Sequence, residues 1–221
     1  MDFWIYSIIS MIYIILFLWM AIDLSRTRRW FHYPLFLLLV TFSLAYDNGI
    51  IAAGEAIGEG DLLMTLSSLR FWLHAFVTPT LVLIGYYILQ RSGVSWGRNM
   101  ATQISAWLIT AGLIIYQIVS STLAEVQHLT LTVEYGVMRY SAEGQAGPPI
   151  MVIIVGMILL VIGILVLVKQ KWAWLLVGTA LLFIGQLIPI PIESSAATNI
   201  FELILILSIW LTLRHQDRNP A

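Results

Sequence analysis

An all-α membrane protein built as a bundle of seven transmembrane helices is what this sequence predicts, on three observations. Of its 221 residues, 60% are hydrophobic and 10% charged, with mean hydropathy +0.90, a composition that excludes a water-soluble domain. The apolar residues gather in seven stretches, each close to the about 20 residues that carry a helix across a hydrocarbon core. The basic residues fall almost entirely in alternate gaps between them. Arg26, Arg28 and Arg29 follow the first stretch, Arg91 and Arg98 the third, Lys169 and Lys171 the fifth, and Arg214 and Arg218 the seventh. The other gaps carry only Arg70 and Arg139 against Glu55, Glu59, Asp61, Glu125, Glu134, Glu143 and Glu193. Lys and Arg in short loops stay on the cytoplasmic side, so the amino terminus is expected outside and the carboxyl terminus in the cytoplasm.

The spans are 3–22, 34–54, 71–90, 101–121, 149–168, 172–190 and 197–213. The first is uncharged until Asp23, with Asp2 before it and its basic cluster behind it. That is the reverse of a cleavable signal peptide, so the helix is expected to be retained. Pro34 opens the second span, and AYDNGIIAAGEAIG places Asp47 and Asn48 at membrane depth near its outer end. RFWLHAFVTPT opens the third, with Arg70 at the outer rim, His74 one turn inward and Pro79 near the middle. The fourth ends on Tyr116, Gln117, Ser120 and Ser121; the fifth has no polar side chain and reads as lipid-facing scaffold. The sixth bears Gln186 near its outer end, and the seventh carries Asn199 and Glu202, three residues apart and so on one helical face. The long outer loop, 122–148, contains LTLTVEYGVMRY, whose alternation around Glu134-Tyr135-Gly136 predicts a short β-hairpin. That hairpin would either cap the outer mouth of the bundle or pack on helix ends as a connector. The chain reads as one integral membrane domain, 1–221.

The exclusions are firm. With no cysteine there is no disulfide, thiolate nucleophile or cysteine metal site. A net charge of −1 makes no case for nucleic acid. No phosphate-cradling glycine loop, dinucleotide fingerprint or G-x-S-x-G elbow occurs.

Topology turns scattered polar residues into a pattern. Asp47, Asn48, Glu55, Arg70, His74, Gln117, Gln186, Asn199 and Glu202 all fall in the outer half of the membrane. An ionisable group there costs at least ~2–3 kcal/mol unless paired or hydrated, so such groups usually face the bundle interior. Several at one depth predict a polar pocket opening outward, lined by Asp47, Asn48, Arg70, His74, Gln117, Gln186, Asn199 and Glu202. Each also has a structural reading. Asp47 pairs with Arg70 or a protonated His74, Arg70 snorkels as an interfacial anchor, and Asn199, Glu202, Gln117 and Gln186 hydrogen-bond across helices. Glu55, Glu59, Asp61, Glu125 and His128 are expected to be solvated. Asp47, His74 and Glu202 supply two carboxylates and an imidazole, a donor set suited to zinc, without any accompanying H-E-x-x-H spacing.

In the third span, Arg70, Phe71, Thr78 and Pro79 resemble the third helix of microbial type 1 rhodopsins in type and spacing. The resemblance implies a rhodopsin-like seven-helix bundle with its amino terminus outside. It covers one helix of the seven. The family's counter-ion carboxylate is Leu73 here and its following tryptophan is His74. The only lysines, Lys169 and Lys171, lie outside the seventh span, which has Ile204, Leu205 or Leu207 where the chromophore lysine would fall. A retinal Schiff base is therefore excluded. The histidine-rich metal motifs of ceramidase-type seven-helix hydrolases are also missing.

Three functions remain open. The first is a multi-pass protein of the plasma or inner membrane whose outward-facing pocket binds a small or lipidic ligand, or handles protons. The second is an embedded hydrolase acting on lipid headgroups, with Asp47, His74 and Glu202 as acid, base or metal ligands. The third is a structural subunit or assembly factor whose polar residues only fasten helices. The lipid bilayer is the one partner implied in every case, and the oligomeric state is left open.

Overall fold

The computed structural model describes residues 2–27, 32–142, 149–187 and 196–219; of residues 27, 186, 187 and 197 only the backbone is described. Helix α1 (Asp2–Thr27) packs antiparallel on α2 (Pro34–Ile57). Proline at the first helical position costs α2 nothing, because that N–H has no intrahelical partner in any case. Small residues bring the two helices close. Ser10 Oγ donates to the Ala45 carbonyl at 2.9 Å, and Gly49 leaves room for that hydroxyl.

α2 stops at Gly58 (φ +81), whose N–H caps the Gly54 carbonyl at 3.0 Å. Gly60 (φ +148) completes the reversal, two backbone conformations that side chains with a Cβ resist. Helix α3 (Asp61–Val77) therefore starts well before the expected residue 71. Pro79 lacks an N–H, so the helix tightens to a 3₁₀ turn over Thr78–Thr80 before resuming as α4 (Leu81–Gln90). All of α4 except Tyr87 and Gln90 is buried, and it forms the middle of the bundle. After a 3₁₀ turn at Ser95–Arg98 comes α5 (Met100–Gln117), which widens into a π turn at Ile118–Thr122 and ends as α6 (Leu123–Gln127). The fourth span thus runs past the expected residue 121.

Strands β1 (Leu129–Glu134) and β2 (Val137–Ala142) pair antiparallel with Glu134 opposite Val137. Tyr135 (φ 51) and Gly136 (φ 79) form the turn, the two-residue conformation whose twist suits a hairpin. The hairpin docks on the bundle end. Val137 is buried with Tyr6, Ile51, Ala52 and Ala196, and the Met138 carbonyl lies where a Cβ on Gly54 would be.

Helix α7 (Ile150–Gln170), α8 (Trp174–Leu187) and α9 (Ala196–Arg218) stack in order. Glycines permit the contact, two of them on α8 seven residues apart. Gly163 admits the Leu176 backbone, Gly178 admits Ser208, and Gly185 admits Phe201. α7 is half scaffold and half core, since Met151, Val155, Leu159, Ile162 and Val166 are buried while Met157, Val161, Ile164 and Val168 face outward. At the end away from the hairpin, Arg91 pairs with Asp217. Gln216 donates to Ile88 O at 3.0 Å and Gln170 Oε1 at 2.9 Å, tying α4, α7 and α9 together. Six described helical runs are long and apolar enough to cross a membrane, from Asp2–Arg26, Pro34–Ile57, Asp61–Gln90, Met100–Gln127, Ile150–Gln170 and Thr198–Arg218; Trp174–Gly185 is a shorter apolar helix.

Candidate functional site

Near the hairpin end, residues from α2, α3, α5, the π turn, α6, α7 and α9 wall one cavity of about 380 Å³. Two departures from α-helical winding border it. The 3₁₀ turn contributes Thr78, and the π turn contributes Ser120 and Ser121. A π turn pushes its residues outward from the helix axis and is common at functional sites.

Asp47 and Arg70 meet across α2 and α3. Arg70 Nε donates to Asp47 Oδ1 at 2.7 Å, with side chains 12% and 31% exposed respectively. Arg70 is thus not a snorkelling anchor. It lies more than two turns inside α3 and turns toward a carboxylate, because a largely buried charge is costly to leave unpaired. Its Nη1 is buried without a hydrogen-bond partner among the described residues. One turn on, His74 Nδ1 shares a hydrogen bond with Thr78 Oγ1 at 3.2 Å, and both line the cavity.

Asn48 is adjacent to Asp47 but about 100° around the helix, so it points elsewhere. It is fully buried, donates to Leu44 O at 2.8 Å and accepts from Asn199 Nδ2 at 2.9 Å. It clamps α2 to α9 and does not line the cavity, whereas Asn199 does. Glu202, one turn beyond Asn199, faces the cavity within electrostatic range of Asp47. Among the described residues it has no hydrogen-bond or ion-pair partner. Gln117 lines the cavity and bonds to no other helix among the described residues. The side chain of Gln186 lies outside the described residues, as do Glu193, Ser194 and Ser195.

Of the wall residues, Val40, Ser43, Leu44, Pro149, Ile150 and Val152 were not singled out from the sequence, and Phe71 only through the rhodopsin resemblance. Glu125, expected in solvent, accepts from Ser121 Oγ at 2.6 Å and borders the cavity. The signal for it was the spacing of four, readable only once the helix is known to continue past residue 121. No hairpin residue lines the cavity; β2 packs on α2 and α3 beside it.

Beyond His74, Thr78 and Glu202 a narrower apolar cleft of about 50 Å³ continues, walled by Leu81, Leu159, Leu182 and Leu205. Among the described residues no three His, Asp or Glu side chains are grouped to hold a metal ion. Nor does any described serine hydrogen-bond to His74: Ser120 donates to Tyr116 O and Ser121 to Glu125. The arrangement offers acceptors (Asp47, Glu125, Glu202), a guanidinium with donors to spare, and aromatic faces. No protein-family model matches this chain, and no curated protein matches it at a significant level.

Proposed function

We propose that this is a seven-span protein of the plasma or inner membrane that binds a small or lipidic ligand in an intramembrane pocket open to the amino-terminal, outer side. The observation that carries the reading is Glu202, a carboxylate at membrane depth that faces the cavity with no partner among the described residues. A polar residue present only to fasten helices would be matched to a neighbour, as Asn48 and Asn199 are. The alternation of basic residues supports the orientation, with α8 as the sixth crossing. A rhodopsin-like scaffold without the chromophore lysine fits the same reading, and neither Lys169 nor Lys171 reaches the cavity wall.

The chain has no cysteine, so single cysteines report access directly. Ser43→Cys, buried from outside but on the cavity wall, is expected to react with a small water-soluble thiosulfonate. Leu83→Cys, fully buried in α4, is expected to stay inert. Equal inertness at both positions would remove the pocket reading.

A further inference from the structure

Taking the cavity as a binding site, we propose that its ligand is an amphiphilic organic cation, an ammonium group carrying a short apolar chain. The charge inventory selects the sign. Asp47, Glu125 and Glu202 line the cavity against one guanidinium, and Arg70 is ion-paired to Asp47. Glu125 is occupied by Ser121. Of the three, Glu202 alone is left without a donor or ion-pair partner among the described residues, which a cation beside it supplies. An anion would find the spare Nη1 of Arg70 and His74, but it would share the cavity with three carboxylates.

The walls suit the same class. Phe71 and Tyr116 border the cavity, and aromatic faces attract cations within about 6 Å of the ring centroid. Past Glu202 the apolar cleft of about 50 Å³ continues. By the measure in which one water occupies roughly 10–15 Å³, it holds about four water-sized groups, the length of a butyl chain. Tyr116 on α5 and Ile150 on α7 line the cavity and are each 39% exposed, so part of its wall lies at the bundle surface, where an amphiphile would meet it.

The test uses the full-length Ser43→Cys protein in lipid nanodiscs and reads protection from the thiosulfonate by butylammonium, methylammonium, 1-butanol and butyrate. Butylammonium is expected to protect at concentrations at least tenfold below butanol or butyrate, and several-fold below methylammonium. Glu202→Gln, of equal size, is expected to cost butylammonium tenfold or more while leaving butanol unchanged. Phe71→Leu is expected to weaken the ammonium alone. Equal or better protection by butyrate or butanol, no protection by any probe, or an unchanged ammonium effect in Glu202→Gln would each overturn the cation assignment. In those cases the labelled cysteine itself still reports an open pocket. An unreactive Ser43→Cys would instead defeat the binding reading on which this inference rests.

Discussion

Asp47 and Asn48 stand side by side in the sequence and are equally polar, yet they do different work. The helical rotation of about 100° per residue aims one at Arg70 and the cavity, and the other at Asn199. The sequence places both at one depth but does not say which neighbour each faces. Removing one partner of a largely buried ion pair costs more than removing both, because a lone charge is left behind. Arg70→Met is therefore expected to destabilise the protein by about 3 kcal/mol, discounted toward about 2 for the exposure of Asp47 to the cavity. Adding Asp47→Asn should recover part of that loss. Unfolding of the single and double variants in a mild detergent–denaturant titration measures both, and a double variant weaker than Arg70→Met would contradict the pairing. Asn48→Leu breaks a single interhelical hydrogen bond and is expected to cost about 1 kcal/mol by the same titration.

Among elements, the best-read from sequence was the hairpin. Strict alternation and Tyr135-Gly136 at the turn leave little choice of register once φ is positive at both turn residues. Where it docks was not legible, because the contact depends on Gly54, a residue without a side chain to read. A Cβ there would fall 1.6 Å from the Met138 carbonyl oxygen, so Gly54→Ala should push the hairpin off α2. The expected loss is about 1–3 kcal/mol, with faster amide exchange across 129–142 and unchanged helix content. Exchange as slow as in the parent protein would show that the hairpin is held elsewhere. The ends of α3 and the α5–α6 run were misjudged for a different reason. Hydropathy marks the segment that suits lipid, whereas a helix continues for as long as its backbone bonds can be made. Arg70 and Glu125 thereby moved from rim and solvent into the wall of a cavity. The π turn that presents Ser120 and Ser121 had no signature in composition at all.

For the whole molecule, the decisive pattern is the segregation of charge between the two ends of the bundle. The amino-terminal end carries the hairpin, and the other end carries the Arg91–Asp217 pair and a lock of glutamines. If Lys and Arg set the orientation, Glu134→Cys at the hairpin turn should react in intact cells with a membrane-impermeant maleimide. Ser95→Cys, between α4 and α5, should react only after lysis. The opposite pattern would invert the protein in its membrane. At 14 residues, α8 reaches about 21 Å at 1.5 Å per residue, less than the roughly 30 Å of a hydrocarbon core. A crossing there needs local thinning of the bilayer or the chain beyond Leu187.

Composition and residue spacing were enough by themselves to predict a chain of apolar helices, six of them among the described residues long and apolar enough to cross a membrane, and the hairpin between them. Those are one-dimensional properties, and hydrophobic length and helical period translate them directly into elements. Which polar groups meet was settled only by tertiary packing. The direction a side chain takes depends on helix rotation, on glycines that admit a neighbour, and on breaks such as Thr78–Thr80 and Ile118–Thr122. Packing satisfied Asp47 and Asn48 with partners from other helices, and among the described residues it left Glu202 on the cavity wall without one.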